Sequence, residues 1–160
     1  MRRGALFSDC GLYRYRLTRV WDDRPPLIFV MLNPSRADAE VDDPTIRRCI
    51  GFARDLGFGG MTAANLFALR TPHPAELRAA PNPVGPGNDT HLADLLRSGG
   101  TIVAAWGVHG ALGGRDAAFR ALARQSGARL SSLGTTKQGH PRHPLYVARG
   151  QPLISYCLDN

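Results

Sequence analysis

An apolar run, Leu27 to Leu32, stops at Asn33-Pro34-Ser35 and gives way to an acidic stretch that ends at Asp42-Asp43-Pro44. Asn33 and Asp38 stand just beyond the break, and one of the carboxylates Asp38, Glu40, Asp42 and Asp43 can serve as a general base, with Asn33 only structural. Ser35 and Arg36 stand where a substrate would be met. A second polar stretch, Gly134 to Pro144, carries Thr136, Lys137, His140, Arg142 and His143 and is stiffened by Pro141 and Pro144. Donors fixed in advance need no reorganisation, so such a loop suits a phosphate or an anion that forms during reaction. Between the two lies Asn65. Leaving its amide unpaired in the interior would cost about 1–3 kcal/mol, so it is either tied to a neighbouring loop or free to read a ligand edge. The histidine pair His140 and His143 has no carboxylate or cysteine beside it, and Pro141 prevents helical alignment of the rings, so no metal site is expected.

Regular elements must hold these loops. Leu27 to Leu32 shows no alternation, as expected of a strand covered on both faces in a mostly parallel sheet. Ligands of such sheets bind outside the carboxyl ends of the strands. Asp43 and Pro44 open a helix that runs to Leu56, with Ile46, Cys49, Ile50 and Ala53 as its apolar stripe. Taken alone, this stretch also reads as a capped strand-loop-helix connection without chemistry. Strands follow at 61–67, 101–106 and 129–133, and helices at 75–80, 88–96 and 115–125. Leu12 to Trp21 alternates as a half-exposed strand, expected to pair with Leu27 to Leu32 as an antiparallel hairpin. Its Arg14, Arg16 and Arg19 read as a solvated face or as contacts to a nucleic acid backbone. Leu145 to Val147 and Leu153 to Tyr156 read as short edge pieces. The order predicts a single α/β domain over 1–160, a three-layer α/β/α sandwich with a mostly parallel central sheet of about four strands plus the N-terminal hairpin strand. The loops after Leu32, Phe67, Trp106 and Leu133 then leave one edge and can share a pocket.

The formal net charge is +7, with nineteen of the twenty basic residues Arg. Such a surface favours a phosphate-bearing partner, although a GC-biased genome would give the same Arg, Ala, Gly and Pro usage. Cys10, Cys49 and Cys157 form no C-x-x-C pair and imply neither a disulfide framework nor a thiolate metal site. There is no membrane-length apolar run and no signal-peptide pattern, and a cytoplasmic monomer is expected.

The runs MLNPSRADAEVDDPTIRRC, NLFALRTPHPAEL, VGPGNDTHL, VAAWG and LGTTKQGHPRHPLY resemble the bacterial family catalogued as domain of unknown function 1643, across Tyr13 to Tyr146. More distantly, the strand followed by Asn33-Pro34-Ser35 is similar to the opening Gly-x-Asn-Pro-Gly motif of the mismatch-specific and single-strand-selective uracil-DNA glycosylases. Asn65-Leu66 resembles their base-reading Asn, and His140 to Leu145 their closing His-Pro-Ser-Pro-Leu motif. This resemblance implies that Asn33 orients the attacking water, Asn65 reads the extruded base, and His140 or His143 donates to the base carbonyl as charge collects there. Ser35, Arg36, Arg70, Thr136, Lys137 and Arg142 become candidate substrate contacts. Departures stand at Ser35 in place of Gly, at Arg142 in place of Ser, at the added His143, and in the acidic cluster. No aromatic follows Ser35 directly; Phe52 and Phe67 are the candidates to stack on a base.

The function expected is a cofactor-free hydrolase that cleaves the N-glycosidic bond of a modified or damaged base in single-stranded or duplex DNA. The alternatives are a hydrolase or transferase of free nucleotides or nucleosides, and a non-catalytic nucleic-acid-binding module. Salt-dependent DNA binding separates the first two, and base release separates both enzymes from the module.

Overall fold

A computed structural model describes residues 1–159. The strands are β1 (Arg2–Phe7), β2 (Arg14–Val20), β3 (Pro26–Met31), β4 (Gly60–Asn65), β5 (Thr101–Ala104), β6 (Leu130–Ser132) and β7 (Ile154–Tyr156). The helices are α1 (Pro44–Asp55), α2 (Ala75–Ala79), α3 (Asn88–Arg97) and α4 (Arg115–Gln125), with 3-10 turns at Val108–Gly114 and Pro144–Tyr146. All seven strands form one mixed sheet in the order β1-β2-β4-β3-β5-β6-β7. Its centre, β4-β3-β5-β6, is parallel. Antiparallel strands border it, with β1 and β2 on one side and β7 on the other.

Two expectations are corrected here. The sheet has seven strands, because β1, β2 and β7 extend the four parallel ones. The hairpin partner of β2 is β1, and the other neighbour of β2 is β4, so β2 and β3 do not pair. Between β2 and β3 the turn Asp22 to Pro25 carries the chain across β4, because β3 needs both of its edges for the parallel strands β4 and β5.

Alternate strand residues feed two apolar clusters. Ile28, Val30 and Leu32 pack with Leu92 and Leu96 of α3 and Phe119 of α4. Leu27, Phe29 and Met31 pack with Ile46, Cys49 and Phe52 of α1. Each fully buried Leu, Ile or Phe contributes about 1.5–3 kcal/mol. Helix α1 begins as its sequence dictates: the Asp43 carboxylate accepts from the Ile46 amide at 2.9 Å, and Pro44 occupies the first turn. It ends where Gly57 takes φ of +85°, which lets the Phe58 amide reach the Ala53 carbonyl at 2.9 Å.

The arginines of β2 do not form the expected solvated row. Arg14 and Arg19 are only 2% and 0% exposed, because β2 is an interior strand covered by the acidic loop. Arg19 donates from Nε to Asp42 Oδ1 at 2.8 Å and from its terminal nitrogens to the carbonyls of Thr18 at 2.9 Å and Asp38 at 2.6 Å. Arg14 donates to the Ala37 carbonyl at 2.9 Å. These two side chains therefore hold the loop that follows Asn33. Leu145 is also no strand residue, since it lies in the 3-10 turn Pro144–Tyr146.

Candidate functional site

The four loops that follow the parallel strands meet at one end of the sheet around a cleft of about 510 Å³. Leu32 and Trp106, the residues just past β3 and β5, belong to its lining. Asn33 and Ser35 come from the first loop, Thr71, Pro72 and Pro74 from the second, Gly107 to His109 from the third, and Thr136, Arg142 and His143 from the fourth. None of the lining residues is Asp or Glu.

Asn33 is clamped. Its Nδ2 donates to the carbonyls of Pro34 at 3.0 Å, Thr71 at 2.9 Å and, more weakly, Leu69 at 3.4 Å. The Thr71 amide returns a bond to the Pro34 carbonyl at 2.9 Å, so the first two loops are stitched together at this residue. With the amide nitrogen engaged, the rotamer is fixed, and Oδ1 accepts from none of the described residues.

His143 caps the turn Pro144–Tyr146: its Nδ1 accepts from the Leu145 amide at 3.2 Å. An acceptor at Nδ1 places the proton of the neutral ring on Nε2. Burial pushes the imidazole pKa down to about 4, against a smaller upward pull from the Asp43 carboxylate. The ring is thus a neutral Nε2–H donor at ordinary pH. Tyr146, 76% exposed, tilts against it with ring centroids 5.9 Å apart. Arg48 and Arg142 hold the turn in place: Arg48 donates to the Pro144 and Val147 carbonyls, and Arg142 to the Tyr146 carbonyl at 2.6 Å.

The remaining sequence candidates divide sharply. Ser35, Thr136 and Arg142 join Asn33 and His143 in the cleft. Arg36 and Arg70 line a neighbouring groove. His140 is not a cleft residue; its backbone and Thr136 exchange bonds at 2.9 and 3.2 Å and close the loop. Lys137 is exposed outside the cleft. Asp38 is structural: Oδ1 accepts from the Glu40 and Val41 amides, both at 2.8 Å, and these bonds hold its pKa below the usual carboxylate range. That is the wrong direction for a general base. Asp42 is held by Arg19 and Arg3, and Asp43 caps α1. Phe52 and Phe67 are 1% and 2% exposed and cannot stack on a ligand in the cleft.

Asn65 is 1% exposed and outside the cleft lining. It pairs in register with Met31, one residue below the cleft residue Leu32. Both atoms of its side-chain amide are buried without a partner, whereas its backbone carbonyl accepts from Asn88 Nδ2 at 2.9 Å.

Residues 14–145 match the family described as "Protein of unknown function (DUF1643)". The chain belongs to that family. No curated protein and no solved structure matches it. The DUF1643 region runs from β2 to the turn that follows His143 and takes in every cleft residue except Tyr146. Sequence reasoning passed over Thr45, Thr71, Trp106, His109 and Tyr146 of this DUF1643 cleft. A large aromatic at the carboxyl end of a buried strand was the available signal for Trp106, and Thr71, in the loop beyond β4, gave none. For Tyr146 it was a large aromatic directly after His-Pro-Leu.

Proposed function

We propose that the cleft hydrolyses the N-glycosidic bond of a modified or damaged base in DNA. One observation carries the reading: Asn33, whose Oδ1 accepts no bond from the described residues, and the neutral His143 line one cleft in which no Asp or Glu takes part. Glycoside cleavage by paired acids needs two carboxyl groups about 5–9.5 Å apart, and this cleft offers none. An N-glycosidic bond can be broken differently. As it opens, positive charge grows on the sugar and negative charge on the base, so the requirements are a positioned water and a donor at the base.

In this reading Asn33 Oδ1 accepts a hydrogen bond from the water that attacks the sugar carbon. The base leaves with both electrons of the bond, and His143 Nε2–H donates to the carbonyl oxygen on which they collect. The hydroxyl of the water joins the sugar, and its remaining proton neutralises the base. Arg142 and Thr136 shape the base end of the cleft, and the exposed ring of Tyr146 supplies a stacking surface at the rim. Asn65 enters through its orphaned amide: a base edge with one carbonyl and one N–H would pair both atoms, once the layer between it and the cleft parts. The fold belonging to this reading is a three-layer α/β/α sandwich, with the two apolar clusters as its interfaces. No metal and no organic cofactor takes part.

The test is incubation of the full chain with single strands and duplexes carrying a panel of altered bases, scored for free base and for abasic sites. Release from at least one base is expected. Intact strands across the panel, with protein shown folded by circular dichroism, would remove the reading.

A further inference from the structure

Beside the cleft runs a second hollow of about 410 Å³. Ser35, Thr71 and Pro72 line both, so the two are adjacent. Arg36 and Arg70 face this hollow, and no carboxylate does. Arg36 is exposed, and none of the described residues bonds to its guanidinium. Arg70 is half-buried, its guanidinium lies 4.8 Å from the Phe7 ring centroid, and its Nε is buried without a partner. Neither arginine forms an ion pair among the described residues. The carboxylate that feels Arg70 is Asp38, whose Oδ1 is already engaged by two backbone amides.

Several other surface arginines are neutralised or tied. Arg24, Arg97 and Arg149 pair with Asp22, Asp94 and Asp55, and Arg48 and Arg142 donate to backbone carbonyls. Arg47, Arg48 and Arg149 also share a hollow without a carboxylate lining, but each is bonded there to a carbonyl or to Asp55, whereas Arg36 and Arg70 have no such partner among the described residues. Planar guanidinium groups match the oxygens of a phosphate two at a time.

We propose that the Arg36–Arg70 hollow is a phosphate subsite, which takes the phosphate of the nucleotide whose base enters the cleft. The assignment rests on the reading of the cleft as a base-binding site, and it adds where the charged end of the substrate lies. The phosphate can come from a free nucleoside monophosphate or from a phosphodiester within a strand.

Inorganic phosphate is the first probe. Titrated into the isotope-labelled full chain, it is expected to shift the backbone amides of Gly11, Leu12, Ser35, Arg36, Arg70 and Thr71, and to leave those of Arg47, Arg48 and Arg149 in place. The second arm compares thymidine, thymidine 5′-monophosphate and a thymidine dodecamer against wild type and Arg36→Gln, a change at an exposed side chain that the fold does not use. Arg36→Gln is expected to weaken the monophosphate or the dodecamer about tenfold and thymidine not at all. Loss on the dodecamer, with a salt slope shallower by about 0.7, identifies a strand; loss on the monophosphate alone identifies a free nucleotide. Arg70→Lys keeps the charge and removes the fork, so partial weakening is expected there.

Phosphate shifts scattered over other arginines, or equal weakening of thymidine and its phosphorylated forms, would overturn the subsite even if base release is observed. Shifts confined to the hollow with no base release from any probe would leave the subsite standing and remove the hydrolase.

Discussion

At the scale of single residues, the cleft turns on two side chains whose protonation and orientation are set by their neighbours. His143 has an ordinary pKa of 6.5 in the unfolded chain and about 4 in the fold. Between those values the unfolded chain binds more protons, so the contribution of this residue to stability is complete above pH 6.5 and declines as pH falls toward 4. Urea midpoints at pH 7 and pH 5 should therefore fall further for wild type than for His143→Gln, and equal falls would mean that the ring titrates normally. Asn33 makes a different test. Its Nδ2 faces three carbonyl oxygens, a setting that a carboxylate cannot enter without repulsion. Asn33→Asp should cost about 1–3 kcal/mol at pH 7. Part of that loss should return on acidification, because the protonated acid donates one bond; a variant equally stable at both pH values would show that the clamp does not hold.

At the scale of elements, what the sequence made legible was periodicity and punctuation. The 3.6-residue stripe of α1, its Asp43-Pro44 start and its Gly57 stop were readable in advance, as were the unbroken apolar strands. The arginines of β2 were not. Alternation marks one face of a strand as polar but does not say whether that face meets water, and here the acidic loop folds back to cover it. For the same reason the acidic cluster looked like chemistry, although three of its four carboxylates, those of Asp43, Asp38 and Asp42, cap α1, close a turn and hold Arg19. Arg19→Met should thus lower stability by about 1.5–3 kcal/mol in denaturant unfolding and loosen residues 38–43, visible as faster hydrogen exchange there. Unchanged exchange would contradict the assignment. The floor of the cleft offers a second test. A Cβ on Gly110 would stand 2.1 Å from Trp106 Cδ1, so Gly110→Ala must displace the indole. A loss of about 1–3 kcal/mol is expected, with a shift in tryptophan emission. A variant of native stability and spectrum would mean that the floor is not packed as described.

At the scale of the whole molecule, parallel connections place four loop ends at one edge of the sheet, and that placement was legible from element order alone. Which histidine lines the cleft was not. His140 and His143 lie three residues apart in one loop, and the turn Pro144–Tyr146, which caps itself on His143, determines which ring reaches the cleft. Asn65 shows the same limit: its place at the carboxyl end of β4 was readable, its burial beneath the cleft layer was not. No helix among the described residues is long and apolar enough to cross a membrane. The most direct test is the single-turnover rate of base release, on whichever altered base the panel identifies, for wild type, Asn33→Ala, His143→Gln and His140→Gln. The account predicts losses of about 10²–10³-fold for the first two variants and a rate within about threefold of wild type for the third. A His143→Gln protein that releases base at the wild-type rate while His140→Gln does not would contradict it.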